Sequence, residues 1–197
     1  MKRTINILML ILGSIGLDSC NELVENPRIL TNSELKAQLN ENEDFKAYIL
    51  AKQSAFKQTK QIFEELGASD REQLFKLYDS YNDYPAFAED ASTEDILFFE
   101  KVLATKSTNS IFYFKKTLDF LTPFNYDSEI ILSELQSSVR FAKGRLTDIC
   151  DDIQAEVYVE QLNYLYYGRG FTLEAADRSA TIAAAWAYVG CVRALYP

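Results

Sequence analysis

Five carboxylates lie close together in the second half of the chain and are the first candidates for chemistry. Four of them repeat every four residues, at Asp148, Asp152, Glu156 and Glu160, and Asp151 lies beside them. On a helix this spacing places the acids along one flank. Metal bound in a helical bundle also needs Glu-x-x-His partners, and calcium needs an oxygen-rich loop; the chain has no histidine and no Asp-x-Asp-x-Asp-Gly motif. We therefore interpret the ridge as a solvated helix face and predict no metal and no cofactor.

Among the acids at four-residue spacing, Glu160 is predicted to lie nearest to the apolar face of the helix. Each four-residue step exceeds one helical turn by about 40°. If Glu160 is buried it requires a cation, and Arg169 and Arg178 are the nearest by sequence. Such a pair would be a structural salt bridge or, alternatively, one wall of a polar pocket.

The absence of histidine excludes most of the common catalytic centres. Ser-His and Cys-His dyads, 2-His-1-carboxylate iron and His-ligated haem all require that side chain. No Gly-x-Ser-x-Gly, phosphate-loop or dinucleotide motif occurs either. Two carboxylates could hydrolyse glycosides unaided, but no motif identifies an acid and a nucleophile. We expect a protein that is not an enzyme, with a carboxylate-only hydrolase as the enzymatic alternative.

Aromatic side chains are the candidates for binding. The segment 78–90 contains turn-forming residues together with Tyr78, Tyr81, Tyr84 and Phe87, and loops often carry binding residues. A second group lies further along the chain, at Tyr164, Tyr167 and Trp186. Exposed Tyr and Trp near carboxylates suit a sugar or a protein surface. The alternative is that aromatics at helical spacing belong to the core.

Helix signals dominate the chain after residue 31. Thr31-x-x-Glu34 and Ser69-x-x-Glu72 have the form of capping boxes, and Ser92-x-x-Asp95 is a weaker version. No convincing strand alternation occurs; the segment 110–114 is the best short candidate, but its continuation fits a helix better. The pattern predicts one all-α domain over residues 32–197, a bundle of about six or seven helices with a C-terminal antiparallel helical hairpin.

The longest apolar seam runs from Ile131 through Ile153 and Val157 to Tyr164. A straight helix over all of it would exceed the width of a compact domain, so we predict a bend close to Gly144. The last segment, 173–195, is predicted to be the central buried helix. A membrane-inserted hairpin is the alternative for that segment.

The N-terminus has the layout of an export signal. Lys2 and Arg3 precede an apolar run over residues 5–17, and the small residue Ser19 comes before Cys20. The run is shorter than the roughly 18–20 residues that a permanent transmembrane helix needs. We expect residues 1–19 to be a signal peptide, and residues 20–31 to be a tether.

Leu17-Asp18-Ser19-Cys20 resembles the lipobox of bacterial lipoproteins, a resemblance limited to residues 1–20. It implies that Cys20 becomes the lipid-carrying first residue of the mature protein, located in a bacterial cell envelope. Asn21 is not the aspartate that commonly signals inner-membrane retention, so the resemblance favours the outer membrane and leaves the periplasmic or surface-facing side open. An ordinary signal peptide cut elsewhere, with Cys20 free, is the alternative.

The other two cysteines, Cys150 and Cys191, are placed to form a disulfide. They are centred on Gly168-Arg169-Gly170, the strongest helix breaker in this region. Two helices joined antiparallel there would bring both cysteines to the same height, and an exported protein meets an oxidising compartment. Two reduced thiols and a redox-active pair are the alternatives.

The negative net charge of the chain limits the kinds of partner that it can bind. Loss of residues 1–19 removes two basic residues and one acidic residue, so the formal charge changes from −9 to −10. An acidic chain has no electrostatic reason to bind nucleic acid or anionic lipids, so membrane attachment would come from the lipid on Cys20. We predict a non-enzymatic lipoprotein that binds an envelope protein partner or a glycan; the first alternative is a small-ligand-binding or glycan-binding helical domain.

Overall fold

The computed structural model describes residues 28–81, 83–103, 110–139 and 147–195. Within these ranges the chain forms two short strands and nine α-helices. The strands are β1 (Arg28–Ile29) and β2 (Phe124–Asn125). The helices are α1 (Asn32–Glu41), α2 (Glu43–Glu65), α3 (Ala68–Tyr81), α4 (Tyr84–Asp90), α5 (Thr93–Leu103), α6 (Ser110–Leu121), α7 (Ser128–Val139), α8 (Thr147–Asn163) and α9 (Leu173–Leu195). The predicted all-α fold is confirmed, with more helices than the predicted six or seven.

Some predictions lie outside the described residues. These are the signal peptide 1–19, the lipidated Cys20, most of the tether and the bend at Gly144. The long predicted seam falls on two helices, α7 and α8, on either side of that last position. The segment 110–114 is helical, as its continuation indicates.

Side-chain caps explain where several helices begin. At α1 the Thr31 hydroxyl accepts from the Glu34 amide at 3.3 Å, and the Glu34 carboxylate accepts from the Thr31 amide at 2.9 Å. Ser92 caps α5 in the same way, accepting from the Asp95 amide at 3.1 Å. The predicted box at Ser69 is wrong, because α3 already begins at Ala68.

The core has two hydrophobic clusters. The first is formed mainly by α1, α2, α6, α7, α8 and α9 and includes Tyr48, Phe114 and Tyr158. The second, formed by the end of α2 with α3, α4, α5 and α9, surrounds Trp186. The helices α8 and α9 pack side by side and contribute to both clusters. No helix in the described ranges has the length and apolar character needed to span a membrane.

The C-terminal hairpin is built as predicted. A wider single turn of helix over Tyr164–Gly168, which we call the π-turn, ends α8, and Gly170 takes the left-handed φ of 69°. At the opposite end Cys150 and Cys191 are joined by a disulfide, with their Cα atoms 5.5 Å apart. We call these two ends of the hairpin the tip end and the disulfide end.

The buried face of α8 is one residue out of step with the predicted seam. Ile153 and Val157 are only half-buried and Tyr164 is exposed, whereas Tyr158 and Leu162 are buried completely. On that face α8 packs against the alanine-rich α9, and the buried Tyr158 hydroxyl donates to Asp177 of α9. Apolar periodicity therefore assigned the wrong side of α8 to the core.

Gly190 allows α9 to approach α3. A Cβ at this position would overlap the Tyr78 ring, which packs against Trp186 with ring centroids 5.4 Å apart. We expect Gly190→Ala to lower the free energy of unfolding by about 1–3 kcal/mol, despite the better helix propensity of alanine. Gly67→Ala is the matched control, because its added Cβ would meet no atom within 4 Å apart from its own chain neighbours. Denaturant unfolding of both variants measures the difference, and equal stabilities would contradict this packing.

Candidate functional site

Both carboxylates that are buried in the described ranges have a lysine partner. Asp177 lies 2.5 Å from the Lys52 ammonium, and Asp151 lies 3.1 Å from that of Lys60. A glycoside hydrolase needs two carboxyl groups that face a substrate across a cleft. Asp177 and Lys52 are each 1% exposed, so this pair touches no solvent and no substrate.

A hydrogen-bonded network surrounds the Lys52–Asp177 pair and links three helices. The Tyr158 hydroxyl donates to the Asp177 carboxylate at 2.5 Å, and the Tyr48 hydroxyl donates in turn to that of Tyr158. Lys52 also donates to the Thr181 hydroxyl at 3.3 Å, which itself donates to the Asp177 carbonyl at 2.7 Å. The network therefore joins α2 to α8 and α9 through groups that satisfy one another.

Burial shifts the ionisation of this network. Removal from water lowers the pKa of Lys52, while the negative charge of Asp177 works in the opposite direction. Burial also holds the pKa values of Tyr48 and Tyr158 well above their usual range. The ammonium lies 4.7 Å from the centroid of the Tyr158 ring, a cation–π contact. Because the Lys52–Asp177 pair is shielded from solvent and its partners lie on three helices, we call the network a structural clamp.

The first aromatic group predicted for binding belongs to the core. Tyr78 and Tyr81 lie on α3, and Tyr84 and Phe87 on α4, so the predicted aromatic loop is wrong. All four rings gather around or near Trp186, with Phe87 stacked on it at 4.2 Å. A cap by Asp83 and a proline in the first turn start a helix where the composition suggested a loop.

Glu160 does not turn inwards. It is exposed, because Tyr158 and Leu162 take the buried face on either side of it. The two arginines considered as its partners bind elsewhere: Arg178 pairs with Glu100 at 2.8 Å, and Arg169 donates to the Tyr164 hydroxyl at 3.1 Å. Among the acids of this group whose side chains are described, the buried one is Asp151. The side chain of Asp148 lies outside the described residues.

Exposed aromatic rings concentrate at the tip end. Six aromatic side chains are exposed in the described ranges, and the sixth, Tyr113, is 36% exposed and lies beside Phe112. The other five, with exposed fractions from 37% to 55%, are what we call the aromatic tip surface: Phe112, Phe120, Tyr164, Tyr167 and Phe171. Of the residues predicted for binding, only Tyr164 and Tyr167 belong to it. Phe112 and Phe120 are not among the residues that the sequence predicts for binding. Their spacing, with Lys116 between them, nevertheless indicates one exposed face of α6.

Contacts with neighbouring side chains hold these rings in place. Phe120 packs on Phe124 of β2, with ring centroids 6.3 Å apart. The Lys116 ammonium lies 4.6 Å from the Phe112 ring centroid. An ion pair between Lys115 and Glu174 joins α6 to the first turn of α9. The surface is therefore built on packed helices rather than on a free loop.

The π-turn brings further tyrosines to the same end. Tyr166 and Tyr167 meet edge to face at 4.7 Å. Burial and the neighbouring Tyr126 and Tyr166 hydroxyls raise the pKa of Tyr167, so that it stays neutral at physiological pH. The tip end thus presents apolar ring faces and tyrosine hydroxyls, with the cations of Lys116 and Arg169 beside them.

An open cleft of about 310 Å³ lies between α1, α2 and α7. Its lining includes Leu39, Ile49 and Leu50, but Phe45 is its one aromatic residue and is buried. The polar side chain of Gln53 already donates to the Ser138 carbonyl at 2.8 Å. This volume is at the small end of the range for ligand sites. In the described part of the chain no three potential metal ligands gather either.

The Lys52–Asp177 pair gives a test of the clamp. Lys52→Met leaves a carboxylate buried without its cation, so we expect the free energy of unfolding to fall by about 3–5 kcal/mol. The double variant Lys52→Met/Asp177→Leu removes both charges and is expected to recover a large part of this loss. Lys76→Met, which breaks the exposed Lys76–Glu72 pair, is the control with little effect. Denaturant unfolding compares them; a Lys52→Met variant as stable as Lys76→Met would rule the clamp out.

The buried tyrosines predict alkaline unfolding. Their pKa values are raised in the folded state, so their stabilisation is complete below pH 10 and is lost as the pH rises above it. The pKa of Lys52 is lowered in the folded state, so the titration of Lys52 raises the unfolding free energy with pH, but only up to the ordinary lysine pKa of 10.5. Above about pH 10.5 we therefore expect Tyr48→Phe to make the fall in unfolding free energy shallower by up to about 1.4 kcal/mol per pH unit.

Unfolding measured at several pH values between about 10.5 and 12 checks this slope. Tyr113→Phe, at an exposed ring of α6, is the control for the loss of one tyrosine hydroxyl. Identical slopes for the two variants would contradict the burial of the Tyr48 hydroxyl.

Known proteins supply no assignment for this arrangement. No protein-family model, no curated protein and no solved structure matches the chain. A fold does not by itself determine a function, so the inference depends on the chemistry of the surface and of the buried groups.

Proposed function

We propose that the protein is a non-enzymatic, lipid-anchored protein of a bacterial cell envelope that acts by binding through its aromatic tip surface. The observation that carries the binding role is the concentration of exposed rings at one end of the bundle. Large exposed aromatic groups usually mark an interaction surface, because a free monomer gains nothing from leaving them in water.

The state of the carboxylates supports binding over catalysis. In the described ranges the buried acids Asp151 and Asp177 are neutralised by Lys60 and Lys52. The open cleft between α1, α2 and α7 offers neither exposed rings nor a pair of buried acids. A small-ligand or glycan-binding role, and a carboxylate-only hydrolase, are therefore less well supported.

The lipid anchor is proposed from the sequence Leu17-Asp18-Ser19-Cys20. Acyl chains on Cys20 would hold an acidic protein that has no electrostatic attraction to anionic lipids, and two or more chains make the attachment stable. The outer membrane is favoured because Asn21 follows the cysteine.

Cys20→Ser tests the anchor. In a bacterial host the wild-type chain is expected in the membrane fraction, with a mass increased by its acyl chains, because the thiol is the attachment point. Cys20→Ser is expected to give a non-acylated product, either unprocessed or released from the membrane. Cys150→Ser/Cys191→Ser, which removes the other two thiols, is the control and is expected to remain acylated. Unchanged acylation of Cys20→Ser would refute the anchor.

A further inference from the structure

The chain enters the domain beside the aromatic tip surface. Strand β1 pairs in parallel with β2, with Arg28 opposite Phe124, and the Leu30 amide donates to the Asn125 carbonyl at 2.9 Å. Phe124 in turn packs on Phe120 of the aromatic tip surface. Ile29 itself is 72% exposed. Any anchor upstream of β1 therefore pulls on the tip end of the bundle.

The length of the tether determines which end of the domain can reach the bilayer. Eight residue steps separate Cys20 from Arg28, and an extended chain covers at most about 3.6 Å per residue, so the reach is at most about 29 Å. The helix α9 has 23 residues and runs for about 34 Å from the tip end to the disulfide end. The tether can bring the tip end to the membrane, but it is too short to run the length of α9 and bring the disulfide end there.

The chemistry of the tip end suits the lipid–water interface. Phenylalanine and tyrosine rings settle where one side is apolar and the other is wet. The Lys116 ammonium already lies over the Phe112 ring, and the Arg169 guanidinium over that of Tyr164 at 5.7 Å. These long side chains can place their charges among the headgroups while their stems cover apolar surface.

We infer that the aromatic tip surface docks on the lipid–water interface of the same bilayer that holds the acyl chains of Cys20. This inference rests on the lipid anchor of the proposed function. Because the tether keeps the domain close to the bilayer, the effective concentration of the surface is high, and a weak intrinsic affinity of the rings is enough for docking. The disulfide end then points away from the membrane.

The test uses the full-length, acylated protein in phosphatidylcholine vesicles with acyl chains brominated near the headgroup. Phe120→Trp and Tyr164→Trp each place a tryptophan on the aromatic tip surface, and Leu97→Trp places one outside that surface, on an exposed position of α5, a helix that packs against Trp186 through Phe99. The single native tryptophan, Trp186, is buried and gives the same background in all three variants. We expect bromine to lower the added emission about twofold at the two tip positions and to leave that at Leu97→Trp unchanged.

Vesicle flotation in the same samples separates the docking from the anchor. If the protein floats but neither tip tryptophan is quenched, or if Leu97→Trp is quenched equally, the docking is wrong and the anchor stands. If the protein fails to float, the anchor is wrong and the docking with it. If the tip tryptophans are unquenched in pure lipid but become shielded from aqueous iodide on native envelope membranes, the surface binds a protein, and lipid docking is wrong.

Discussion

The buried Lys52–Asp177 ion pair is the constraint on which the packing of this bundle depends. Two charges removed from water are tolerated only when they meet each other and their remaining hydrogen bonds are satisfied. Tyr158 and Thr181 satisfy them here, so α2, α8 and α9 have one relative register in which the charges are paired. We interpret the pair as a device that selects this register, because apolar residues of similar volume could supply comparable stability.

The two ends of the hairpin use aromatic residues in opposite ways. At the disulfide end the rings surround Trp186 and fill the space between α3, α4, α5 and α9. At the tip end the clamp and the first core cluster already pack α2, α6, α8 and α9, so the exposed rings are not needed to fill a core. The same residue types therefore stabilise the fold at one end and remain available for contact at the other.

The sequence predicted the features that depend on spacing along the chain. The helical class, the cap at Thr31, the hairpin about Gly170 and the pairing of Cys150 with Cys191 all follow from local signals or from counting along two helices. The clamp was not predictable in this way, because Lys52 and Asp177 lie far apart in the chain and only the fold brings them together. The predicted buried face of α8 was wrong for the same reason, because Tyr158 turns inwards to reach Asp177. Phe87 likewise belongs to the core because it stacks on Trp186, which lies far from it in the sequence.

If the domain is anchored as proposed, its negative charge means that uncharged rings, rather than charges, are suited to orient it on the membrane. An acyl anchor limits the distance of a domain from the bilayer but does not set its orientation, and a formal charge of −10 repels the domain from anionic headgroups. Rings at the tip end can gain free energy at the interface without any net charge, and the cations of Lys116 and Arg169 lie among them. Orientation then follows from where the rings lie relative to β1: a surface beside the point where the chain enters the domain can dock without stretching the tether, whereas a surface at the disulfide end cannot.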